Sequence, residues 1–456
     1  MKTKLTKKEL VFIASMLFGL FFGAGNLIFP IYMGQLAGSN MWKAVIGFLI
    51  TGVGLPLLGV TAIGISRSDG LIELSGKVSK GYSVFFTCAL YLTIGPCFAI
   101  PRCATVPFTV GIEPLFGGNG NAQIMLAVFS LIFFIAVLAF SLFPGKILTW
   151  VGKILNPIFL IFLGVLVIAA LVNPMGAISE IAPEGDYAAK SFVTGFFEGY
   201  NTMDALASLA FGIIVINVIR ELGITEPKAV AKNTVKAGVF SCLIMAVIYV
   251  AVTLVGAQSR GLYEVCSNGG EVFAIVAEHY FGAVGAVILA ITVTFACLKT
   301  AVGLVTSCSE TFCELFPKFL SYKAWAVIFS IVSFLVANLG LNSIIAYAVP
   351  VLMFLYPLAI TLILLGLFGN FFGHSKYVYG FVTGFTFIAA IHDLLNALFN
   401  EGSFIGDRVL PVMKNALPLA DLGLAWVLPA AVGFVIGFIV MKVKSADEVA
   451  NEGTAK

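Results

Sequence analysis

The fold is decided by two stretches, Phe18-Gly19-Leu20-Phe21-Phe22-Gly23-Ala24-Gly25-Asn26 and Val193-Thr194-Gly195-Phe196-Phe197-Glu198-Gly199-Tyr200-Asn201. Both contain a Phe-Phe pair followed four residues later by Asn, and they lie 175 residues apart. Each places glycine and polar residues in the middle of a long apolar run. This similarity predicts two related helices that are broken near their centres.

The composition around these stretches is that of a membrane protein. The 456 residues are 60% hydrophobic and 11% charged, with a mean hydropathy of +1.05. A soluble domain carries about 25% charged residues, so this chain lacks the groups to solvate its surface in water, whereas a bilayer can solvate it. The net charge of +3 comes from dispersed basic residues, which argues against a nucleic-acid partner. The eight cysteines have no disulfide or metal-site spacing.

Apolar runs of the required length recur along the whole chain. A transmembrane helix needs about 20 apolar residues, and about twelve such runs can be found. These predicted spans 1 to 12 lie near 9–36, 43–65, 81–110, 122–142, 147–171, 191–217, 236–257, 283–312, 324–338, 342–368, 377–398 and 422–441. The sequence therefore predicts an all-α integral membrane protein.

The distribution of Lys and Arg predicts the orientation of these spans. If the N-terminus is cytoplasmic, 19 basic residues fall on the inner side and 5 on the outer side, while Arg102 and Lys299 lie inside spans. The inner set includes Arg67 and Lys456. Cytoplasmic loops carry an excess of basic residues. We therefore expect both termini to be cytoplasmic.

The two opening stretches fall in spans 1 and 6. Five spans separate equivalent positions, and an odd number reverses the direction through the membrane, which is an inverted repeat. Broken backbone at membrane depth persists only where it lines a cavity or contacts a ligand. The exposed half-helix N-termini attract a carboxylate, and the freed carbonyls suit a small cation. Glycine packing between helices is the alternative for either stretch alone, but two matched breaks with polar residues favour a binding site.

Seven motifs resemble those of the branched-chain amino acid carriers (LIVCS family, BrnQ type). They are Phe22-Gly23-Ala24-Gly25-Asn26-Leu27-Ile28-Phe29-Pro30, Gly47-Phe48-Leu49-Ile50-Thr51-Gly52-Val53-Gly54-Leu55-Pro56, Gly95-Pro96-Cys97-Phe98-Ala99-Ile100-Pro101-Arg102, Gly199-Tyr200-Asn201-Thr202-Met203-Asp204, Asn338-Leu339-Gly340-Leu341, Val349-Pro350-Val351-Leu352 and Leu417-Pro418-Leu419-Ala420-Asp421. They extend from span 1 to span 12, so the resemblance covers nearly the whole chain.

The resemblance implies a LeuT-type fold with a five-plus-five inverted repeat and two extra C-terminal helices. The first repeat would cover 1–175, the second 176–370 and spans 11 and 12 would cover 371–442, followed by a disordered cytoplasmic tail at 443–456. It also implies a symporter in the cytoplasmic membrane that takes up leucine, isoleucine and valine, with sodium as the usual coupling ion. No other cofactor is expected, and the preference among the three substrates and the oligomeric state stay open.

Residues at the two breaks are the predicted substrate site. In span 1, backbone N–H groups of Gly23, Ala24 and Gly25 would face the substrate carboxylate, with the side-chain oxygen of Asn26 beside it or on an ion. In span 6, the predicted group that could receive the substrate ammonium comprises Glu198, Gly199, Tyr200, Asn201 and Thr202. Apolar residues of span 3, namely Tyr91, Ile94, Cys97 and Phe98, could form part of a side-chain pocket.

Charged residues inside a membrane usually face a cavity or a partner. Arg102, late in span 3, could close an outer gate against a carboxylate or extend towards the headgroups. Asp204 could bind a ligand, close that gate or form a structural ion pair, and Glu198 fits a ligand or gate role.

Span 8 departs from the family at one position. The family usually has Cys-Leu-Thr-Thr-Ala there, where helix 8 hydroxyls help to bind sodium, but this chain reads Cys297-Leu298-Lys299-Thr300-Ala301. One hypothesis is that the Lys299 ammonium replaces sodium and that its titration couples transport to protons. The alternative leaves sodium at Phe22, Ala296 and Thr300, with Lys299 pointing elsewhere.

Other functional classes fit less well. The sequence shows no nucleophile with a nearby base and no metal cluster that would indicate an enzyme, and no glycine-rich phosphate loop that would indicate a primary pump. A channel needs a continuous polar lining or charged rings, whereas this sequence has two isolated breaks suited to one trapped solute. The sequence thus predicts a secondary carrier rather than an enzyme.

Overall fold

The computed structural model of the chain describes residues 2–66, 68–114, 122–142, 146–399 and 403–454. Arg67 and Lys456, which entered the orientation argument, lie outside the described residues, as does the last part of the predicted tail. The regular elements of the described residues are all helical.

Eighteen α-helices account for most of the described chain. They are α1 (Lys7–Phe21), α2 (Ala24–Ala37), α3 (Met41–Leu49), α4 (Leu55–Ser66), α5 (Leu71–Gly76), α6 (Lys80–Leu92), α7 (Ala99–Pro107), α8 (Ala122–Leu142), α9 (Lys146–Val172), α10 (Asp186–Glu198), α11 (Asp204–Glu221), α12 (Pro227–Ser259), α13 (Gly269–Leu315), α14 (Tyr322–Ala337), α15 (Leu341–Phe368), α16 (Lys376–Leu398), α17 (Leu410–Ala416) and α18 (Val427–Thr454). Short π-helical turns join α3 to α4, join α6 to α7 and follow α7.

Many of these helices can cross a membrane. Within the described residues, eight helical stretches are long and apolar enough, and the count rises to nine if α10 and α11 form one bent span. The predicted number of twelve spans therefore stays a prediction. The segment expected to be a disordered tail is described as helix up to Thr454, because α18 continues past the apolar run without interruption.

Span 3 is not the single helix that its apolar run predicts. The chain leaves helical geometry at Gly95, where φ is −101° and ψ is −126°, and Pro96 follows. A proline cannot donate the backbone hydrogen bond that would continue the helix. The interruption separates α6 from α7, and it places α7, which carries Arg102, against the end of α13 that precedes Lys299.

Span 1 crosses span 7 at very close range. A Cβ added at Gly34 of α2 would lie 2.0 Å from the carbonyl oxygen of Thr253. In the reverse direction, a Cβ at Gly256 of α12 would lie 1.9 Å from the carbonyl oxygen of Ile31. Only glycine leaves room for two backbones at this distance, so these glycines fix the crossing of the two spans.

Span 6 crosses span 2 through a second pair of glycines that allow close backbone contact. A Cβ at Gly47 of α3 would lie 2.0 Å from the Phe192 carbonyl oxygen, and one at Gly195 of α10 would lie 2.1 Å from the Ala44 carbonyl oxygen. Spans 1 and 2 of the first half thus pair with spans 7 and 6 of the second half. This reciprocal arrangement is consistent with the predicted inverted repeat.

Polar contacts at the helix ends fall into two separate groups. At one end, the Lys2 ammonium donates to the Leu222 carbonyl at 3.2 Å, and the Asn233 amide donates to the Thr3 carbonyl at 3.1 Å. At the other end, the backbone N–H of Ser39 donates to the carbonyl of Ile181 at 2.9 Å. The sequence analysis assigns the first group to the inner side and the second to the outer side.

The last two spans pack together at the edge of the bundle. Helix α16 packs against α18 and also against α15. Between them, α17 and the turn at Ala420–Leu422 form a connection at the outer end. A Cβ at Gly423 would lie 2.5 Å from the Phe197 ring, so this connection contacts span 6 directly.

Candidate functional site

The break in span 1 lies at Phe22 and Gly23. Both residues have extended backbone, with ψ of 99° at Phe22 and −164° at Gly23. The side-chain oxygen of Asn26 accepts the Gly23 backbone N–H at 2.8 Å, which satisfies one of the donors that the break leaves free. The flexible backbone predicted at Ala24 and Gly25 is instead the first turn of α2, since Asn26 caps the new helix from within.

The break in span 6 is longer. Helix α10 ends at Glu198, a 3₁₀ turn covers Gly199–Thr202, and Met203 has a positive φ of 63° before α11 begins. The two halves of the span are bent by 43°. The Asn201 amide donates to the Glu198 carboxylate at 3.0 Å, and the Thr202 hydroxyl donates to the Gly199 carbonyl at 2.9 Å. The predicted site residues of this span therefore hold the turn together.

Gly199 has a packing role that follows from its lack of a side chain. A Cβ there would lie 1.9 Å from the Thr51 hydroxyl oxygen, in the π-helical turn of span 2. That hydroxyl donates to the Phe196 carbonyl at 2.7 Å. The broken segment is thus anchored to span 2 through backbone contacts.

Arg102 connects span 3 to both breaks. Its Nη1 donates to the Asn201 carbonyl at 2.7 Å, and its Cζ lies 5.1 Å from the centroid of the Phe29 ring. A Cβ built at Gly25 would lie 3.2 Å from Nη2. Only 3% of the residue is exposed, so the guanidinium lies inside the protein rather than at the headgroups.

Asp204 lies at the start of α11 and bonds to span 1. Its Oδ2 accepts from the Asn26 amide at 2.6 Å and from the Tyr249 hydroxyl at 3.0 Å. The Asn26 amide also donates to the Tyr249 hydroxyl. All three side chains are buried. The sequence analysis did not identify Tyr249, although a lone tyrosine in the apolar run of span 7 could have indicated a polar partner.

These elements enclose a small central cavity of about 40 Å³. Of the predicted site residues, those that line it are Gly23, Ala24, Gly25, Asn26, Arg102, Thr202, Asp204 and Thr300. Its apolar wall includes Leu20, Phe21, Ile94, Phe211 and Leu304. The cavity is therefore lined by residues of two broken helices, by one cation and one carboxylate, and by aliphatic and aromatic side chains.

The remaining predicted residues of span 6 line a second cavity of about 320 Å³ towards the outer end. Glu198, Tyr200 and Asn201 border it, together with residues of α15 and of the connection before α18. The Tyr200 ring stacks on Tyr356 with their centroids 3.8 Å apart. Both rings of this pair are buried, and Tyr200 itself borders the outer cavity.

The predicted ion residues divide into two places. A Cβ at Gly23 would lie 3.3 Å from Thr300 Cγ2 and 3.8 Å from Thr300 Oγ1, so span 8 contacts the span 1 break at Thr300. The Thr300 hydroxyl donates to the Ala296 carbonyl at 3.2 Å. The backbone N–H of Phe22 donates to the Phe18 carbonyl at 2.8 Å. The structure thus brings Thr300 to the break, and Ala296 lies one turn earlier in α13.

Lys299 lines a third cavity, of about 410 Å³, towards the end that holds the N-terminus. Residues of α1 and α11 form the opposite wall, and Glu310 lies on the same cavity. Lys299 does not line the central cavity. Within the described residues it forms no ion pair, and no group of three His, Cys, Asp or Glu side chains could hold a metal ion.

Of the predicted pocket wall in span 3, Ile94 lines the central cavity. Tyr91 instead directs its hydroxyl to the Ala210 carbonyl at 3.5 Å. Cys97 and Phe98 are half-buried at the interruption of the span. Span 3 thus contributes to the pocket wall as the sequence analysis expected, but through Ile94, Ala99, Arg102 and Cys103 rather than through Tyr91, Cys97 and Phe98.

The fold places the chain in the LeuT-like structural class. A nucleobase-cation-symport-1 family transporter, Mhp1 with bromovinylhydantoin, aligns with a TM-score of 0.62 at 15% identity, over 95% of this chain and 92% of that one. MhsT in complex with L-phenylalanine aligns with a TM-score of 0.53 at 17% identity, over 96% and 98% of the two chains. At these identities the likeness concerns the fold alone, and it confirms the predicted fold class.

The particular family follows from the sequence comparisons. Residues 6–444 match the family described as branched-chain amino acid transport protein. The branched-chain amino acid permease BrnQ of Lactobacillus delbrueckii subsp. lactis is 53% identical over 96% of this chain and 97% of its own length. BrnQ of Bacillus subtilis is 43% identical, over 96% and 98%. The chain belongs to this family of multi-pass membrane transport proteins, as its motifs predicted, and it is a transporter rather than an enzyme.

Proposed function

We propose that the protein carries branched-chain amino acids across the cytoplasmic membrane by cation symport with alternating access. The observation that carries this proposal is the convergence of two broken helices on one cavity that both charged and apolar side chains line. Broken helices that meet at the midplane are the usual binding site of secondary transporters.

The lining of the central cavity fits such a substrate. The polar lining, with Arg102, Asp204 and the first turn of α2, suits the charged amino and carboxyl groups. The apolar lining, which includes Ile94 and Leu304, suits a branched aliphatic side chain. The relatives named as branched-chain amino acid permeases support this choice.

The size of the cavity supports a moving site. At about 10–15 Å³ per water molecule, the 40 Å³ cavity has room for a few waters and not for a leucine. A substrate must therefore separate helices in order to enter. Spans 1, 2, 6 and 7, held together by glycine crossings, would rock as one unit against spans 3, 4, 8 and 9.

We propose sodium as the coupling ion. The ion would lie between the span 1 break and span 8, with the Thr300 hydroxyl and the carbonyls of Phe22 and Ala296 as its ligands. The contact between Gly23 and Thr300 supports this position. Binding of both ion and amino acid would stabilise the occluded form, which couples the two fluxes.

Proton coupling through Lys299 is the second candidate. Lys299 lines a cavity open towards the N-terminal end and forms no ion pair within the described residues. A lysine in that position could exchange a proton with the inner solution. Its absence from the central cavity favours the sodium arrangement.

The test is uptake of labelled leucine into liposomes that contain the purified protein. We expect uptake under an imposed sodium gradient and none under a proton gradient alone. Uptake driven by protons alone would replace the sodium proposal by the Lys299 proposal, and Lys299→Thr should then abolish it. If no leucine enters under either gradient, the assigned substrate is wrong.

The proposed location is the cytoplasmic membrane, with both termini in the cytoplasm. The excess of basic residues on the end that holds Lys2 and Arg220 supports this orientation. A tag at either terminus should be cleaved by protease in inside-out vesicles and protected in intact cells. Cleavage in intact cells would reverse the orientation.

A further inference from the structure

We propose that Arg102 binds the α-carboxylate of the transported amino acid and thereby selects substrates that carry this group. The inference rests on the proposed transport function and assigns a specificity role to a residue for which the sequence left open a gate or an extension towards the headgroups. It is carried by the contacts, burial and charge of the Arg102 guanidinium.

Arg102 has unused hydrogen-bonding capacity inside the protein. A guanidinium carries five N–H donors. One donor from Nη1 bonds to the Asn201 carbonyl, whereas Nε has no hydrogen-bond partner within the described residues. The residue is 97% buried from solvent, since only 3% is exposed, and it borders the central cavity. A buried donor without a partner costs free energy, so a ligand that accepts from it gains affinity.

The position of the guanidinium suits an anion. Nη2 would lie 3.2 Å from a Cβ at Gly25, so the group lies beside the first turn of α2. The N-terminus of a helix carries a partial positive charge and attracts anions. Two positive sources of different kinds therefore point to the same end of the cavity. A carboxylate is the anion that a guanidinium binds through two parallel hydrogen bonds.

The negative charge that complements Arg102 in the cavity is the carboxylate of Asp204. This carboxylate is held by Asn26 and Tyr249 at the start of α11 and borders the same cavity as Arg102. An amino acid at neutral pH carries one carboxylate and one ammonium. Its two charges complement Arg102 and Asp204, so a zwitterion adds no net charge to a site in which charge is poorly solvated.

A purely mechanical role is the competing explanation. Arg102 also connects α7 to the span 6 turn through its hydrogen bond to the Asn201 carbonyl. If Arg102 had only this structural role, its loss would lower the affinity for every substrate by the same factor. Selectivity between ligands separates the two roles. Leucinamide keeps the side chain and the ammonium of leucine but lacks the carboxylate.

The experiment measures competition of leucine and leucinamide against labelled leucine in proteoliposomes, and direct binding of both to the purified protein. The variants are Arg102→Gln and Arg102→Lys. Arg220→Gln is the matched control, because Arg220 is an exposed arginine paired with Asp69 at the inner end. Thermal unfolding in detergent reports whether each variant is folded.

For the wild type we expect leucine to bind far better than leucinamide. Truncation of a buried charged partner costs about 2–5 kcal/mol, which is about 30-fold or more in affinity. Arg102→Gln should lower the affinity for leucine by about that factor, whereas the affinity for leucinamide should be unchanged or higher. The affinity of Arg102→Lys for leucine should lie between those of the wild type and Arg102→Gln. Lysine keeps the positive charge but lacks the planar guanidinium that forms two parallel hydrogen bonds with a carboxylate.

Two results would overturn the inference. One is a wild-type protein that binds leucinamide as tightly as it binds leucine, a result that can be obtained without any variant. The other is a folded Arg102 variant that lowers the affinity for both ligands by the same factor, which would leave Arg102 with a structural role only. A wild type that binds and transports no leucine would instead refute the proposed function, so the two failures are distinguishable.

Discussion

At the scale of single residues, the polar groups at the centre of the bundle are bonded to one another across long stretches of sequence. Asn26 is the clearest example, because its oxygen holds the span 1 break and its amide reaches Asp204 and Tyr249. In a bilayer, such groups have no water to bond with. Their network therefore determines the geometry of the site as well as its chemistry.

The Tyr249 hydroxyl should contribute to transport through Asp204. Tyr249→Phe removes a donor to the Asp204 carboxylate and keeps the ring, so the carboxylate loses one of two bonds at Oδ2. Hydrogen bonds to charged groups contribute about 1.5–3 kcal/mol. We expect kcat/KM for leucine uptake to fall by about tenfold or more. Tyr347→Phe, at an exposed tyrosine, is the control, and equal activity of the two variants would contradict the prediction.

Several site residues could be predicted from the sequence because their signal is local. Gly23 and Gly25 interrupt an apolar run, and Glu198-Gly199-Tyr200-Asn201 does the same in span 6. The bonding partners could not be predicted. Arg102 donates to Asn201, 99 residues away, and Tyr249 reaches Asn26 across 223 residues. Nothing in the spacing of either residue encodes such contacts, so the sequence analysis left Arg102 between a gate and an extension towards the headgroups, and it missed Tyr249.

At the scale of helices, glycine contacts decide which spans pack backbone against backbone. Gly34 and Gly256 bring spans 1 and 7 into backbone contact, as Gly47 and Gly195 do for spans 2 and 6. Helix bounds follow from apolar length, and Ala122–Leu142 agrees with its predicted range at both ends. The break in span 1 and the interruption of span 3 were harder to place, because capping by Asn26 and the turn at Gly95 depend on backbone geometry.

Substitution at a glycine crossing should destabilise the protein. Gly256→Ala places a methyl group 1.9 Å from the Ile31 carbonyl oxygen, so spans 1 and 7 must separate. Overpacking of this kind costs about 1–3 kcal/mol. We expect a lower unfolding temperature in detergent and reduced uptake. Gly164→Ala is the matched control, since a Cβ there meets nothing within 4 Å, and an unchanged Gly256→Ala variant would refute the crossing.

At the scale of the whole molecule, three cavities border residues of the predicted site. The outer cavity borders Glu198, the central one borders Arg102 and Asp204, and the inner one borders Lys299. The Tyr200 ring, which stacks on Tyr356, borders the outer cavity. Under the proposed transport function, a substrate would reach the central cavity from the outer one and leave it towards the inner one.

The outer connection should not set the pH dependence of uptake. The Lys414 ammonium, 2.5 Å from Asp421, holds the pKa of that carboxyl below its usual value. A carboxyl with a lowered pKa stabilises the fold above its unfolded pKa of about 3.9, and this stabilisation is lost only as the pH falls through the lower folded value. Between about pH 5 and 8 the pair therefore stays ionised.

The measurement is the pH profile of leucine uptake by Asp421→Asn and by the wild type. We expect the two profiles to have the same shape from pH 5 to 8, whatever their absolute rates. A profile that changes shape in the variant would mean that Asp421 titrates in this range, and the assigned direction of its pKa would be wrong.

The first residues of the chain are bonded to the bundle rather than free of it. Lys2 donates to the Leu222 carbonyl and to Glu9, and Thr3 accepts from Asn233. A fluorescent protein or purification tag fused at this end would disturb these contacts and thereby displace α1, which forms a wall of the inner cavity. Fusions for imaging or purification should therefore be made after α18, and an N-terminal fusion that lowers uptake while expression stays normal would report the mechanical load on α1.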